Sequence, residues 1–290
     1  MRRRVDFGDK GAERRQGAGY DVLALAQPLT PATLASIFPI LQLFSMPRYD
    51  FRSPRLYVDA PLGAGATVAL DRAQAHYLGG VLRLKSGARV LVFNGRDGEW
   101  GATTAGQKRA LGLVVGERTR AQTIPADLHY LFAPLKAARH DYMVQKAVEM
   151  GVSLLQPVLT RHGQVASVNL KRMRANAIEA AEQCGILSLP DLRPPAALAR
   201  LLAAWDPARR LVFCDEDAEI GSPVAALADM AGSPLAVLIG PEGGFAEDER
   251  AALLKLPNVL RLSLGPRILR GDTAAVAALA LVQAVIGDWR

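Results

Sequence analysis

The stretch "LIGPEGGFAEDE", residues 238–249, decides how this chain is read. It opens like a buried strand, breaks at Gly240-Pro241, adds Glu242 and two more glycines, Gly243 and Gly244, and then turns acidic at Glu247, Asp248 and Glu249. Glycines between a strand and a helix usually cradle phosphate. This loop argues against that use. It has neither the lysine of a P-loop nor the spacing of a dinucleotide fingerprint. Its carboxylates already complement the next helix dipole and would repel a di- or triphosphate. The glycines still permit close backbone approach. A flat, weakly charged or cationic ligand fits such a loop, and adenosine joined to a methionine sulfonium is one. The alternative is a turn that only connects two elements. One strand later, "LSLGPRILRGDT" (262–273) repeats the Gly-Pro break. It sets Arg267 and Arg270 beside a helix start that Asp272 or Thr273 is expected to cap. Loops after successive strands share the carboxyl edge of a sheet, where open α/β sheets bind ligands.

Outward from these loops, strands alternate with helices. "LHYLFAP", "SLLQPVLT", "RLVFC", "LAVLIG" and "NVLRLSL" read as strands. "RHDYMVQKAVEMG" reads as a helix with positions 143, 144, 147 and 148 on one face and Gly151 at its end. "NLKRMRANAIEAAEQCG" reads as a helix capped by Asn169 and closed by Gly185. The pattern predicts an α/β fold with a mostly parallel sheet covered on both faces. The closing helix "DTAAVAALALVQAVIG" is apolar nearly all round, and at about 15 residues it is too short for a bilayer. It must be buried, against its own sheet or a second subunit.

Before residue 120 the rhythm differs. "RLYVD", "ATVAL", "ARVLVFNG" and "ALGLVVGE" are short runs bounded by turn residues, which predicts a small β-rich barrel. Between them, "DRAQAHYLGGVLRLKSG" predicts a short helix capped by Asp71 that runs into an extended segment. Residues 46–120 carry twelve basic and six acidic side chains, whereas 121–290 carry seventeen and eighteen. A basic block beside a neutral one suggests an anion-binding module joined to a chemical module. Residues 1–45 look foreign to the rest. They read as a disordered extension or a start assigned too early, with Met46 as the functional start. Their arginines stand far ahead of a proline-broken apolar run, which fits no secretory signal or membrane helix. Two distant cysteines and four scattered histidines show neither disulfide framework nor metal spacing. The expectation is a chain without metal in a reducing cytoplasm.

The two Gly-Pro loops in this order, with "HYLGGVLRLKSG", "FNGRDGEW", "QKAVEMGV", "QPVLT" and "NAIEAAEQCG", closely resemble the RsmE family of ribosomal RNA methyltransferases over about residues 48–289. The resemblance implies a PUA-like RNA-binding barrel over 46–120 and a SPOUT methyltransferase domain with a trefoil knot over 121–290. It implies transfer of methyl from S-adenosylmethionine to N3 of one uridine in 16S rRNA of the small ribosomal subunit. It also implies a homodimer with its active site near the subunit interface. Carried over by position, three loops would hold the cofactor. They are Cys214, Asp215 and Glu216; then Gly240, Pro241, Glu242, Gly243 and Gly244; then Leu262, Leu264, Gly265, Ile268, Leu269 and Arg270. This chain has Gly271-Asp272-Thr273 where the family commonly shows Thr-Glu-Thr. Tyr77 and Gly80 replace a histidine and an arginine in the barrel.

The chemistry adds two roles. Uracil N3 attacks only as its proton leaves, so a base or a cation beside the imide should contribute. Arg270 is the candidate for stabilising the developing charge, and Glu242 for orienting the cofactor or accepting the proton. Arg83, Lys85 and Arg267 are the candidate RNA contacts. Two other readings remain: a related knotted enzyme acting on transfer RNA, and a non-enzymatic RNA-binding protein that keeps the fold.

Overall fold

The computed structural model describes residues 50, 52–106, 111–219, 221–230 and 234–289. The expected extension over 1–45 and the alternative start at Met46 lie outside the described residues.

Five strands build the first sheet: β1 (Arg55–Tyr57), β2 (Thr67–Ala69), β3 (Arg89–Phe93), β4 (Glu99–Ala105) and β5 (Gly112–Arg120). They are ordered β1-β3-β4-β5-β2, antiparallel except for the β1–β3 pair. Alternate residues Val90, Val92, Leu113 and Val115 point into one apolar core with Leu56 and Val68. The sequence pattern does not predict strand β4. Its "EWGATTA" lacks a clean alternation, and its register shifts twice against β5. Helix α1 (Arg72–His76) has the expected cap, a reciprocal box between Asp71 and Gln74. It does not pass straight into an extended segment, however. Residues Tyr77–Val81 continue as a wide π turn closed by the Leu82 N–H on the Tyr77 carbonyl, 2.9 Å. A Cβ on Gly80 would lie 2.8 Å from His76 Nδ1, so the glycine makes room for that imidazole.

The second sheet holds β6 (Leu128–Phe132), β7 (Leu154–Leu159), β8 (Asp191–Leu192), β9 (Ala196–Ala197), β10 (Arg210–Cys214), β11 (Leu235–Ile239) and β12 (Val259–Leu262). Its order is β12-β10-β11-β6-β7-β8, with β9 on β7, and every pair is parallel. The predicted α/β class is observed, with helices on both faces. On one face lie α2 (Ala137–Glu149), α3 (Leu170–Cys184), α5 (Pro223–Ala228) and α7 (Gly271–Val285), packed on Leu128, Tyr130 and Phe132. On the other lie α4 (Leu198–Ala203) and α6 (Glu247–Leu253), packed on Leu131, Phe213 and Leu238. Met143, Val144, Ala147 and Val148 are buried together, as their spacing predicts. Asn169 accepts from the Arg172 N–H at 3.0 Å, and Gly185 ends α3 at φ 71°.

Helix α7 corrects one expectation. Its N-cap position is Arg270, without a side-chain cap, and Asp272 lies inside the first turn. The helix starts at Gly271, close against Leu135, where a Cβ would meet that side chain at 3.3 Å. Its inner face, Ala274, Ala275, Ala278, Leu279 and Val282, is buried on the sheet, while Val276 and Leu281 stay half-buried.

A buried ion triad joins the two sheets. Glu99, about 4% exposed, accepts from Arg55 Nε at 2.9 Å and from Arg120 Nη2 at 2.7 Å. The same guanidinium groups donate to the carbonyls of Gly185 (2.9 Å) and Ile186 (3.1 Å) just past α3. Burial alone would raise the Glu99 carboxyl, but the two arginines hold it below the usual range.

Candidate active site

The carboxyl ends of β10, β11 and β12 surround a cavity of about 450 Å³. Its walls are three loops. The loop after β10 supplies Cys214, Asp215 and Glu216; the loop after β11 supplies Gly240 to Gly244; the loop after β12 supplies Leu264, Gly265, Ile268 and Leu269, with Leu262 at the strand end. Thus every residue expected around the cofactor lines one cavity except Arg270, which is exposed at the start of α7 and is not part of the wall. Arg267, expected to contact RNA, is on the wall. Arg83 and Lys85 are exposed beyond the π turn of the first sheet, Arg83 at φ 54°.

The glycines of the β11 loop have separate reasons. A Cβ on Gly240 would run into the ring of Phe245, which packs edge-on against Phe213 at 5.2 Å. Gly244 sits at φ +69°, and a Cβ there would come within 2.5 Å of Glu216 Oε1. The Gly244 N–H closes the turn on the Pro241 carbonyl at 3.0 Å. These glycines let backbone line the cavity from Gly240 to Gly244.

The charged groups divide into frame and rim. Asp215 is buried and accepts from Arg250 of α6 at 2.9 Å and from Arg261 of β12 at 2.8 Å. Its N–H donates to the Leu262 carbonyl at 3.2 Å. It fastens the loops together instead of facing a ligand freely. Burial pushes the Cys214 thiol up to about 12, helped by repulsion from Asp215, so a neutral S–H lines the floor. Glu216 and Glu242 are exposed on the rim. Glu242 is ion-paired with Arg139 of α2. His162 Nδ1 lies 3.2 Å from the Gly243 carbonyl, and Arg161 pairs with Asp248 at 2.6 Å. Arg139, Arg161, His162 and Phe245 were not singled out from sequence. The available signal was position, since 139 and 160–163 follow β6 and β7 and so reach the same sheet edge.

Chemically, the cavity offers backbone amides and carbonyls at five glycine positions, apolar surface from Ile239, Leu262 and Leu269, a neutral thiol and two rim carboxylates. That set fits a planar adenosine with a sulfonium tail. Among the described residues, no three His, Cys, Asp or Glu side chains gather as a metal site.

The family model described as "RNA methyltransferase domain" matches residues 122–283, more than half of the chain. This chain belongs to the RNA methyltransferase family. A second model, "RNA methyltransferase PUA domain", matches residues 70–108 of the methyltransferase. Ribosomal RNA small subunit methyltransferase E of Rickettsia conorii is 29% identical to it over 232 residues, covering 79% of this chain and 94% of the relative. The protein of the same name from Synechocystis is 28% identical over 227 residues, covering 76% and 74%. The crystal structure of ribosomal RNA small subunit methyltransferase E from Neisseria gonorrhoeae, bound to S-adenosyl methionine, superposes with a TM-score of 0.71 at 26% identity. It covers 82% of this chain and 100% of that one. The fold of the methyltransferase is thus the expected α/β one, with a PUA domain before the RNA methyltransferase domain. Among the described residues, no helix is long and apolar enough to cross a membrane.

Proposed function

We propose that this methyltransferase uses S-adenosylmethionine to methylate N3 of one uridine in the 16S rRNA of the small ribosomal subunit, in the cytoplasm. The observation that carries the reading is the single cavity formed by the loops after β10, β11 and β12. The bound cofactor supplies an electrophilic methyl on a sulfonium. The chain must do the rest. Its glycine backbone orients the adenosine, and its apolar wall excludes water. The target base must be unpaired or flipped out for N3 to reach the methyl. Glu242, held at the rim by Arg139, accepts the N3 proton or orients the cofactor. Arg270 neutralises the imide charge with help from the positive end of α7. Holding N3 in line with the sulfonium accounts for most of the remaining acceleration.

Three further parts belong to the same proposal. The division near residue 120 into an RNA-binding and a methyltransferase domain is supported by family matches that end at 108 and resume at 122. The trefoil knot is supported by the strand order β12-β10-β11, which places both Gly-Pro loops at one edge ahead of α7. A homodimer is supported by the half-buried outer face of α7 and by Trp289, 54% exposed at its end.

The test uses small subunits from a strain lacking the gene. Purified protein and isotopically labelled S-adenosylmethionine are added, and the RNA is mapped by mass spectrometry. One new 3-methyluridine is expected. Methyl on another atom, or on transfer RNA only, overturns the reading.

A further inference from the structure

A second cavity, about 300 Å³, shares Leu135, Lys136 and Val165 with the small cleft that the Arg139–Glu242 pair lines. Two helices begin on its wall, with Lys136 and Asn169 at the N-cap positions of α2 and α3. Neither helix has an acidic residue in its first turn, and α2 has no side-chain cap. Two positive helix ends and the exposed Lys136 therefore meet in one space. The rest of the lining includes the apolar side chains Leu135, Val165, Val168 and Met173.

His140 lines the same cavity. It is only 9% exposed, and neither ring nitrogen has a hydrogen-bond partner among the described residues. Unpaired buried polar groups are rare and costly, so each asks for an occupant. Asp141 does not answer for it, because its carboxylate is taken by Arg172 and by Asn176 at 2.7 Å. Burial favours the neutral imidazole, which presents one donor and one acceptor.

We propose that this cavity holds a nucleotide of the substrate RNA that neighbours the methylated one, with its phosphate at the two helix ends and its base on the apolar wall beside His140. The proposal rests on the functional reading above. An inorganic anion would leave the apolar wall without a purpose, and an apolar ligand would leave the helix ends and Lys136 without one. A nucleotide uses both, and 300 Å³ is at the lower end of ligand pockets. The two cavities are adjacent. Leu135 packs against Gly271, which lines the first, and a narrow cleft lined by Arg139, Pro241 and Glu242 runs between them. The cleft, about 10 Å³, is too small for a nucleotide, so a strand that uses both cavities passes over its surface.

Three variants test this: Lys136→Glu, His140→Phe and His140→Gln. RNA binding is read by filter retention at several salt concentrations, cofactor binding by calorimetry, and turnover as KM and kcat on small subunits. Losing one hydrogen bond to the base should weaken RNA binding and raise KM about tenfold in His140→Phe. His140→Gln should restore most of it, while kcat and cofactor affinity stay near wild type. Lys136→Glu should weaken binding and flatten the slope of log K against log salt by about 0.7 for each phosphate that is no longer neutralised. Phenylalanine fills the imidazole site without an unpaired nitrogen, so the melting temperature should hold or rise. Wild-type RNA affinity in both Lys136→Glu and His140→Phe overturns the proposal. So does a change of sedimentation mass that accounts for the loss, since the cavity would then serve contact between copies. The binding arm needs no turnover. Absence of methylation by the wild type would count against the functional reading alone.

Discussion

Replacing Glu99 by alanine should separate the two halves of the structure. Its carboxylate accepts from Arg55 Nε (2.9 Å), Arg120 Nε (3.0 Å), Arg120 Nη2 (2.7 Å) and Thr119 Oγ1 (2.9 Å). Removal takes the carboxylate from two guanidinium groups that keep only carbonyl partners among those described above, and breaking a buried pair from one side typically destabilises by about 3–5 kcal/mol. With a urea m value of roughly 3 kcal/mol per molar, the unfolding midpoint should fall by about 1–1.7 M. Glu99→Gln keeps the volume and one acceptor oxygen. It should lose about 1.5–3 kcal/mol, the worth of hydrogen bonds to charged groups. Because the arginines also bind carbonyls beyond α3, the damage should appear at the join. The exposed segment 121–127 should become more sensitive to limited proteolysis, while calorimetry still finds wild-type cofactor affinity. A loss of only about 0.2–1 kcal/mol, the range of an exposed ion pair, would refute the assignment of Glu99 as the joint.

Three further outcomes are expected. His129 and His140 are held by burial below the ordinary histidine value, so the unfolded chain binds more protons between the folded and unfolded values. Stability should be complete above about pH 6.5 and fall as pH drops toward the folded values, and His140→Phe should reduce that fall in urea midpoints at pH 7.5 and 5.5. Gly244→Ala combines a positive φ with a clash on Glu216, and should lose at least about 1 kcal/mol of stability together with most cofactor binding, read by melting and calorimetry. Arg83→Glu with Lys85→Glu should weaken RNA binding and its salt dependence while leaving cofactor binding unchanged; unchanged RNA affinity would make the barrel charge a matter of solubility.

The parallel sheet and the cavity were legible because they rest on local rules. Uninterrupted apolar strands, caps at Asp71 and Asn169, and Gly-Pro breaks after consecutive strands each leave a mark within a few residues. Strand β4 was not legible, since small residues around Gly101 and a shifted register leave no alternation. Asp272 and Thr273 look like caps of α7, but the N-cap is Arg270, two residues before Asp272, and Gly271 follows it close against Leu135. His140 reads as one polar residue on a helix. Its isolation depends on which neighbours α3 and β6 bring, over distances the sequence does not encode locally. Asp215 lines the cavity, but its arginine partners come from positions 250 and 261, which no spacing rule connects to it.

The Asp215 cluster has a mechanical consequence. Helix α6, strand β12 and the loop after β10 are tied to one carboxylate, which should make them move as one bracket. Traffic through the cavity must then use its compliant side. That side is the segment 265–268, which turns at a glycine and ends on Ile268, 94% exposed. Residence time should answer to changes in those four residues far more than to changes in the bracket that faces them.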